Sequence, residues 1–175
     1  ERVAVGGGAP RVICSGRGYL NTLAWSTDGA TLLFTAGVSP SGQSSEAVYA
    51  VALDGGEPRR IALGEESCAA GLAQPDGAAR VVVAEMLGLE SRIRWLDPLT
   101  GTQAPLSPET PEAAAEFESW SVRTTPGGGT ALAVVRGAGQ APPEVWAGTA
   151  GGMGVVSVLR QVTDHQSVAL RGIRF

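Results

Sequence analysis

Lysine is missing from this chain altogether: all 13 of its basic residues are arginine. That excludes a lysine nucleophile or Schiff base, because both need an amine that can shed its proton. Alongside so much Ala and Gly, the bias reads as the coding habit of a GC-rich genome, not as selection for guanidinium groups. Histidine occurs once, at His165, and cysteine twice, at Cys14 and Cys68. A lone imidazole cannot build a zinc site without a cluster of partners. Two cysteines make neither a disulfide scaffold nor a zinc ribbon, and both read as small, buried, reduced hydrophobes. No metal and no cofactor is expected. Aromatic residues are only 5% of the chain and the net charge is −4, with no basic run, so nucleic acid is not an expected partner. No stretch approaches the ~20 consecutive apolar residues of a membrane span, and the first residues lack the layout of a signal peptide. No membrane partner is expected, and the expected compartment is the cytoplasm.

What the chain does have is turn formers and short apolar runs: 25 Gly, 11 Pro and a 43% hydrophobic share. These organise into a repeat. Ala24-Trp25-Ser26-Thr27-Asp28-Gly29-Ala30-Thr31-Leu32-Leu33-Phe34 is echoed by Ala73-Gln74-Pro75-Asp76-Gly77-Ala78-Ala79-Arg80-Val81-Val82-Val83. A more degenerate copy runs from Ser119-Trp120-Ser121 through Gly127-Gly128-Gly129 to Val134. Each copy joins two apolar strands through a tight turn, and aligning Asp28, Asp76 and Gly127 gives a period of about 50 residues, that of a propeller blade.

The strands can be placed within each unit. In the first, they are expected over 20–26, 31–36, 47–53 and 57–62, with Asp54-Gly55-Gly56 supplying the positive φ of a hairpin and Pro58 tolerated on an outer edge. In the second they fall over 68–73, 80–85, 92–96 and 102–106, with 86–91 as a loop. In the third they fall over 118–122, 130–136, 143–147 and 155–162. Tyr49, Trp95 and Trp146 occupy comparable third-strand positions, each expected to wedge against a neighbouring blade.

The fold class expected is therefore all-β: a propeller fragment of about three four-stranded antiparallel blades plus part of a preceding one. Residues 1–14 would be the end of that preceding blade, because Arg2 to Ile13 matches Tyr49 to Ile61. Blades would span 19–63, 68–107 and 117–163, and 164–175 would begin a linker or a next strand. The chain is expected to be one portion of a larger protein. The acidic, Ala-rich stretch 106–117 reads as a solvated connector with a turn or two of helix.

The Trp-Ser-x-Asp-Gly-x-x-Leu-x-Phe core at Trp25–Phe34 and the Val-Tyr-x-Val-x-Leu-Asp-Gly-Gly-x-Pro-Arg-x-Ile run at Val48–Ile61 resemble propeller repeats of the prolyl oligopeptidase family. That family includes the acylaminoacyl and dipeptidyl peptidases. Pro142-Pro143-Glu144-Val145-Trp146 with Arg160 to Gln166 resembles the last blade before the family's α/β-hydrolase domain. Similar repeats occur in TolB-like propellers, which are periplasmic and not enzymes. The resemblance implies a propeller that caps a serine peptidase and admits short peptides, with an α/β-hydrolase domain of the same protein as its partner. Oligomerisation stays open.

Catalysis is not expected from this chain. It lacks the Gly-x-Ser-x-Gly elbow that presents a hydrolase serine; Gly37-Val38-Ser39-Pro40-Ser41-Gly42 has the wrong spacing. His165 then reads as a turn residue rather than a general base. Glu65-Glu66 reads as a solvated pair, since neighbours on a strand point to opposite faces. Arg59, Arg60, Arg92 and Arg94 are expected at the surface, paired with acids. Gly6-Gly7-Gly8 and Gly127-Gly128-Gly129 read as hairpin turns, not phosphate loops. Arg123, at the turn after an inner strand near the channel mouth, is the substrate-binding candidate, able to hold a carboxylate through two parallel hydrogen bonds.

Overall fold

The computed structural model describes residues 9–15, 19–39, 45–75, 78–88, 90–108, 116–138 and 141–164. Among them there is no helix, and twelve strands form three four-stranded antiparallel sheets, each in simple up-and-down order. The first sheet is β1 (Leu20–Trp25), β2 (Thr31–Gly37), β3 (Glu46–Ala52) and β4 (Arg59–Ala62). The second is β5 (Cys68–Ala73), β6 (Val81–Leu87), β7 (Glu90–Leu96) and β8 (Gln103–Pro105). The third is β9 (Glu116–Thr124), β10 (Thr130–Ala138), β11 (Ala141–Ala150) and β12 (Arg160–Gln161). The expected all-β architecture of three propeller blades is what the chain adopts.

Turn chemistry sets the hairpins. Asp28 Oδ1 accepts from Ser26 Oγ at 2.6 Å and from Ala30 N at 2.9 Å, while Gly29 takes φ +66°. Asp97 does the same job between β7 and β8, accepting from Leu99 N at 2.9 Å and Thr100 N at 3.1 Å. In the third sheet Thr125 Oγ1 accepts from Gly129 N at 3.0 Å, the same side-chain closure with a hydroxyl in place of a carboxylate.

Hydrophobic packing joins neighbouring sheets. Between the first and second lie Ala24, Leu33, Val48 and Ala50 against Leu72, Val81, Val83 and Leu96. Between the second and third lie Val82, Ile93, Trp95 and Leu106 against Leu132, Val134 and Val156. A third cluster, Ile13 with Phe34, Ala36, Tyr49 and Val51, covers part of the other side of the first sheet. The Arg11 guanidinium donates to Asp54 O, so 9–15 is pinned to the turn that follows β3.

Several expectations need correction. Trp95 is not the counterpart of Tyr49. Tyr49 packs on the side of the first sheet away from the second, stacked on Phe34 at 5.7 Å, whereas Trp95 points from the second sheet into the third, with Trp146 packed against its cluster. One residue of slip reverses the face of a strand. The stretch 86–91 is not a loop: Met86 pairs Ser91 and Leu87 pairs Glu90, so both strands run on to a tight turn. Pro58 precedes β4 rather than lying in it.

The outer strand of the third sheet is much shorter than 155–162. Only Arg160 and Gln161 pair, with Ala147 and Trp146. The preceding residues leave the ladder because Val156 N donates to Leu106 O in the second sheet at 2.8 Å, and Val156 is buried there. Gly148 makes room for the crossing, since a Cβ there would lie 2.4 Å from Val158 O. His165, Gly6, Gly7, Gly8, Asp76, the stretch 109–115 and residues 168–175 lie outside the described residues.

Candidate functional site

An open groove of about 890 Å³ lies on the third sheet, on the side facing away from the second. Strand register builds it. One cross-strand row reads Arg123, Ala131, Thr149 and the next reads Ser121, Ala133, Ala147, Arg160. Rows two residues apart share a face, so alanines form the floor and an arginine stands at either edge, one on inner strand β9 and one on outer strand β12. Val158 and Ser157 complete the rim.

Arg123 is therefore placed differently from its expected position. It lies within β9, level with Ala131, and not in the turn that follows. It is exposed, and among the described residues neither it nor Arg160 is paired with a carboxylate. Two guanidinium groups over a shallow alanine floor suit a ligand or protein surface carrying carboxylates. Ser121, Ser157 and Thr149 add hydroxyls, but among the described lining residues no base sits beside them. The groove can bind; its described residues supply no activated nucleophile.

The remaining charged candidates do structural work. Arg60 pairs with Glu65 at 2.5 Å and Arg92 with Glu90 at 3.2 Å, all partly or well exposed. Arg59 donates to Leu99 O at 3.3 Å, tying the first sheet to the turn that follows β7. Arg94 departs from its expected surface position. Its partner Glu85, at 3.4 Å, is buried, and the pair lies on the side of the second sheet that meets the first. Alternation explains it: Ile93 and Trp95 take one face, which sends Arg94 to the other with Val83.

A smaller cavity of about 320 Å³ opens beside Glu85, Ser91, Ser119 and Trp120. Glu144 is a buried carboxylate that the sequence reading passed over; it accepts from Thr163 Oγ1, which in turn accepts from Val145 N at 2.9 Å. Its signal was an acid in an otherwise apolar strand. Arg136 sits 5.2 Å from the centre of the Trp146 ring. Cys14 and Cys68 are free thiols and only half-buried, less enclosed than expected; Cys68 Sγ accepts from Glu46 N at 3.3 Å. Among the described residues no three His, Cys, Asp or Glu side chains converge as metal ligands. No helix among them is long and apolar enough to cross a membrane.

No family model and no curated protein matches the sequence. Solved structures match in fold. TolB from Acinetobacter baumannii superposes with a TM-score of 0.60 at 18% identity, over 92% of this chain and 36% of that one. A puromycin-hydrolysing peptidase from Mycobacterium tuberculosis gives 0.55 at 16% identity, over 82% of this chain and 21% of its own. A puromycin hydrolase S511A mutant complexed with PGG gives 0.53 at 18% identity, over 81% and 21%. The chain thus spans about a third of the first and a fifth of the others. It has the fold of a propeller portion found in both kinds of protein.

Proposed function

We propose that this chain is the substrate-filtering propeller portion of a serine peptidase of the prolyl oligopeptidase family that hydrolyses short peptides, with catalysis carried by a hydrolase domain outside these residues. The observation that carries the reading is the pairing of two facts. The fold spans about a fifth of two puromycin-hydrolysing peptidases, at 21% of each. The groove on the third sheet, meanwhile, offers hydroxyls with no described base beside them. Filtering needs rigidity rather than reactivity: stacked sheets joined by buried aromatics and aliphatics hold a fixed aperture. Arg123, exposed on an inner strand, is then the cation that orients a peptide carboxylate. A cytoplasmic location accompanies this reading.

The test compares the 175-residue chain with the same chain joined to its hydrolase domain, on short chromogenic peptides and on a folded protein. The joined protein should cleave only the short peptides, and the separate chain should cleave neither. Arg123→Ala in the joined protein should raise KM for peptides with a free carboxyl end and leave kcat in place. Hydrolysis by the separate chain that disappears in His165→Ala would overturn the proposal.

A second reading is favoured by the TolB superposition, which covers 92% of the chain at the higher TM-score of 0.60. Here the propeller is a periplasmic, non-catalytic module that offers one face to a protein partner. Peptide hydrolysis would then be missing from every form of the protein, and a stable protein complex would take its place.

A further inference from the structure

The chain carries the dipeptide Asp-Gly three times, at Asp28-Gly29, Asp54-Gly55 and Asp76-Gly77, the last outside the described residues. Glycine after aspartate leaves no Cβ to shield the backbone nitrogen from the neighbouring carboxyl carbon. The two described turns are alike in backbone. Gly29 N donates to Ser26 O at 2.9 Å and Gly55 N to Ala52 O at 3.0 Å, and both glycines have positive φ, +66° and +100°. Their carboxylates differ. Asp28 Oδ1 is held by Ser26 Oγ at 2.6 Å and by Ala30 N at 2.9 Å. Asp54 is exposed, and among the described residues no hydrogen bond or ion pair reaches its carboxylate.

Arg11 adds a second feature at Asp54. Its guanidinium donates to Asp54 O and lies beside Gly55, 3.2 Å from where a Cβ would stand. Asp54 O belongs to the peptide bond whose nitrogen is that of Gly55. When this nitrogen gives up its proton, peptide resonance moves the negative charge largely onto the oxygen. A cationic donor already seated there stabilises that charge. Arg11 thus makes Gly55 N a better nucleophile, beside a carboxyl that nothing described holds back.

We propose that the Asp54-Gly55 turn modifies itself: Gly55 N closes on Asp54 Cγ to a succinimide, promoted by Arg11, and water reopens the ring to isoaspartate. Atoms balance with no further reagent. Closure forms the bond from Gly55 N to Asp54 Cγ, and the amide proton leaves with the hydroxyl of the protonated carboxyl as one water. Reopening adds one water back. Attack at the former side-chain carbonyl returns aspartate, and attack at the main-chain carbonyl gives isoaspartate, with no net change in mass or oxidation state. Asp28 is doubly disfavoured, since Ser26 and then Ala30 also hold its carboxyl below the ordinary range and so resist its protonation. In the product the chain runs through Cβ, one carbon longer, and the old carbonyl becomes a free carboxylate. This turn joins β3 to β4 and pins residues 9–15, so the product loosens the cover that Ile13 gives Phe34, Tyr49 and Val51. The inference is independent of the peptidase reading, because it needs neither a substrate nor a catalytic domain.

The test is timed incubation of the 175-residue chain near neutral pH, below its melting temperature, followed by peptide mapping. Isoaspartate is read as a peptide of unchanged mass and shifted retention that resists an Asp-directed protease; the succinimide is one water lighter. Isoaspartate at 54 should form about tenfold faster than at 28, the factor set by freeing a carboxyl from two ordinary hydrogen bonds. In concentrated urea the two rates should converge, because only the folded chain tells the sites apart. Arg11→Met keeps the stem and removes the donor, and should slow position 54 about threefold or more in the folded chain. It should change nothing in urea, and an unaltered rate at 28 checks that the variant stays folded. A folded-chain rate at 28 equal to or above that at 54 would overturn the proposal. So would the same ratio kept in urea, no isoaspartate at 54 while the unfolded chain accumulates it, or Arg11→Met as fast as the native chain or faster.

Discussion

Trp120 packs over the bare backbone of Gly71, with 3.4 Å between its ring and the position a Cβ would occupy. This contact sets the spacing of the second and third sheets at their inner strands. A methyl group there would make ordinary contact, and Gly71 has no positive φ to protect. Gly71→Ala should therefore be neutral or stabilise by up to about 1 kcal/mol through the unfolded chain. Gly71→Leu would drive a side chain into the indole and should cost about 1–3 kcal/mol. Urea unfolding followed by tryptophan emission measures both; equal losses for Ala and Leu would show that the ring does not define the spacing.

Trp95 carries the joint on the next strands outward. It is 1% exposed and shares a cluster with Leu132 and Val134 of the third sheet. Trp95→Ala should cost about 3–5 kcal/mol, the loss for deleting a large buried ring. The damage should be directional, because Trp95 faces only one neighbour. Hydrogen exchange should accelerate in β9–β11 and β6–β7 before β2–β3, and uniform acceleration would contradict the placement.

The contrast between Trp95 and Tyr49 shows how far the sequence carries. Turn positions were legible because Asp28-Gly29, Asp54-Gly55-Gly56 and Asp97 through Gly101 have the side-chain acceptors and positive-φ residues that hairpins demand. Strand class was legible from the β-branched runs. The facing of a strand was legible only where polar residues alternate, as in Arg92-Ile93-Arg94-Trp95. In Ala47-Val48-Tyr49-Ala50-Val51 both faces are buried, so alternation is silent and the repeat alignment slipped by one. The run 155–162 has strand-forming residues throughout, but the bond from Val156 to Leu106 draws half of it to another sheet. The groove around Arg123 was less legible still. Its floor depends on which alanines of β10 and β11 come level with Arg123 and Arg160, and register is a tertiary property.

The Arg94–Glu85 pair tests the polar part of the first joint. Glu85 is 7% exposed, and its guanidinium partner lies at 3.4 Å. Glu85→Ala removes a counter-charge from a poorly solvated arginine and should cost about 1–3 kcal/mol. Glu85→Gln keeps one acceptor oxygen and should cost less. Replacing both residues, Glu85→Leu with Arg94→Met, should recover much of the loss, because neither charge is then left without its partner. A double variant as unstable as the sum of its parts would show that the two side chains do not act together.

Acid should loosen the turns before it loosens the sheets. Asp28 lies below the ordinary 3.8, first because Ser26 Oγ donates to it and then because Ala30 N does. Asp97 also lies below that value, held down by the backbone N–H groups of Thr100 and Leu99. A carboxylate whose folded pKa is depressed adds stability that is complete above the unfolded value. That stability is lost as pH falls through the unfolded and then the folded pKa. The melting temperature should therefore be insensitive to these two groups at neutral pH and fall in acid, below about pH 4. Asp28→Asn and Asp97→Asn keep an acceptor oxygen for the turn but cannot be protonated in this range. The double variant should melt lower at pH 7 and show a flatter acid limb, so the two curves converge as pH falls through the lowered folded pKa values. Asp28 is exposed and Asp97 partly so, so the difference should be small and should shrink with salt. Parallel curves for the native and double-variant chains, from neutral pH into acid, would show that these bonds do not distinguish the charged from the neutral carboxyl.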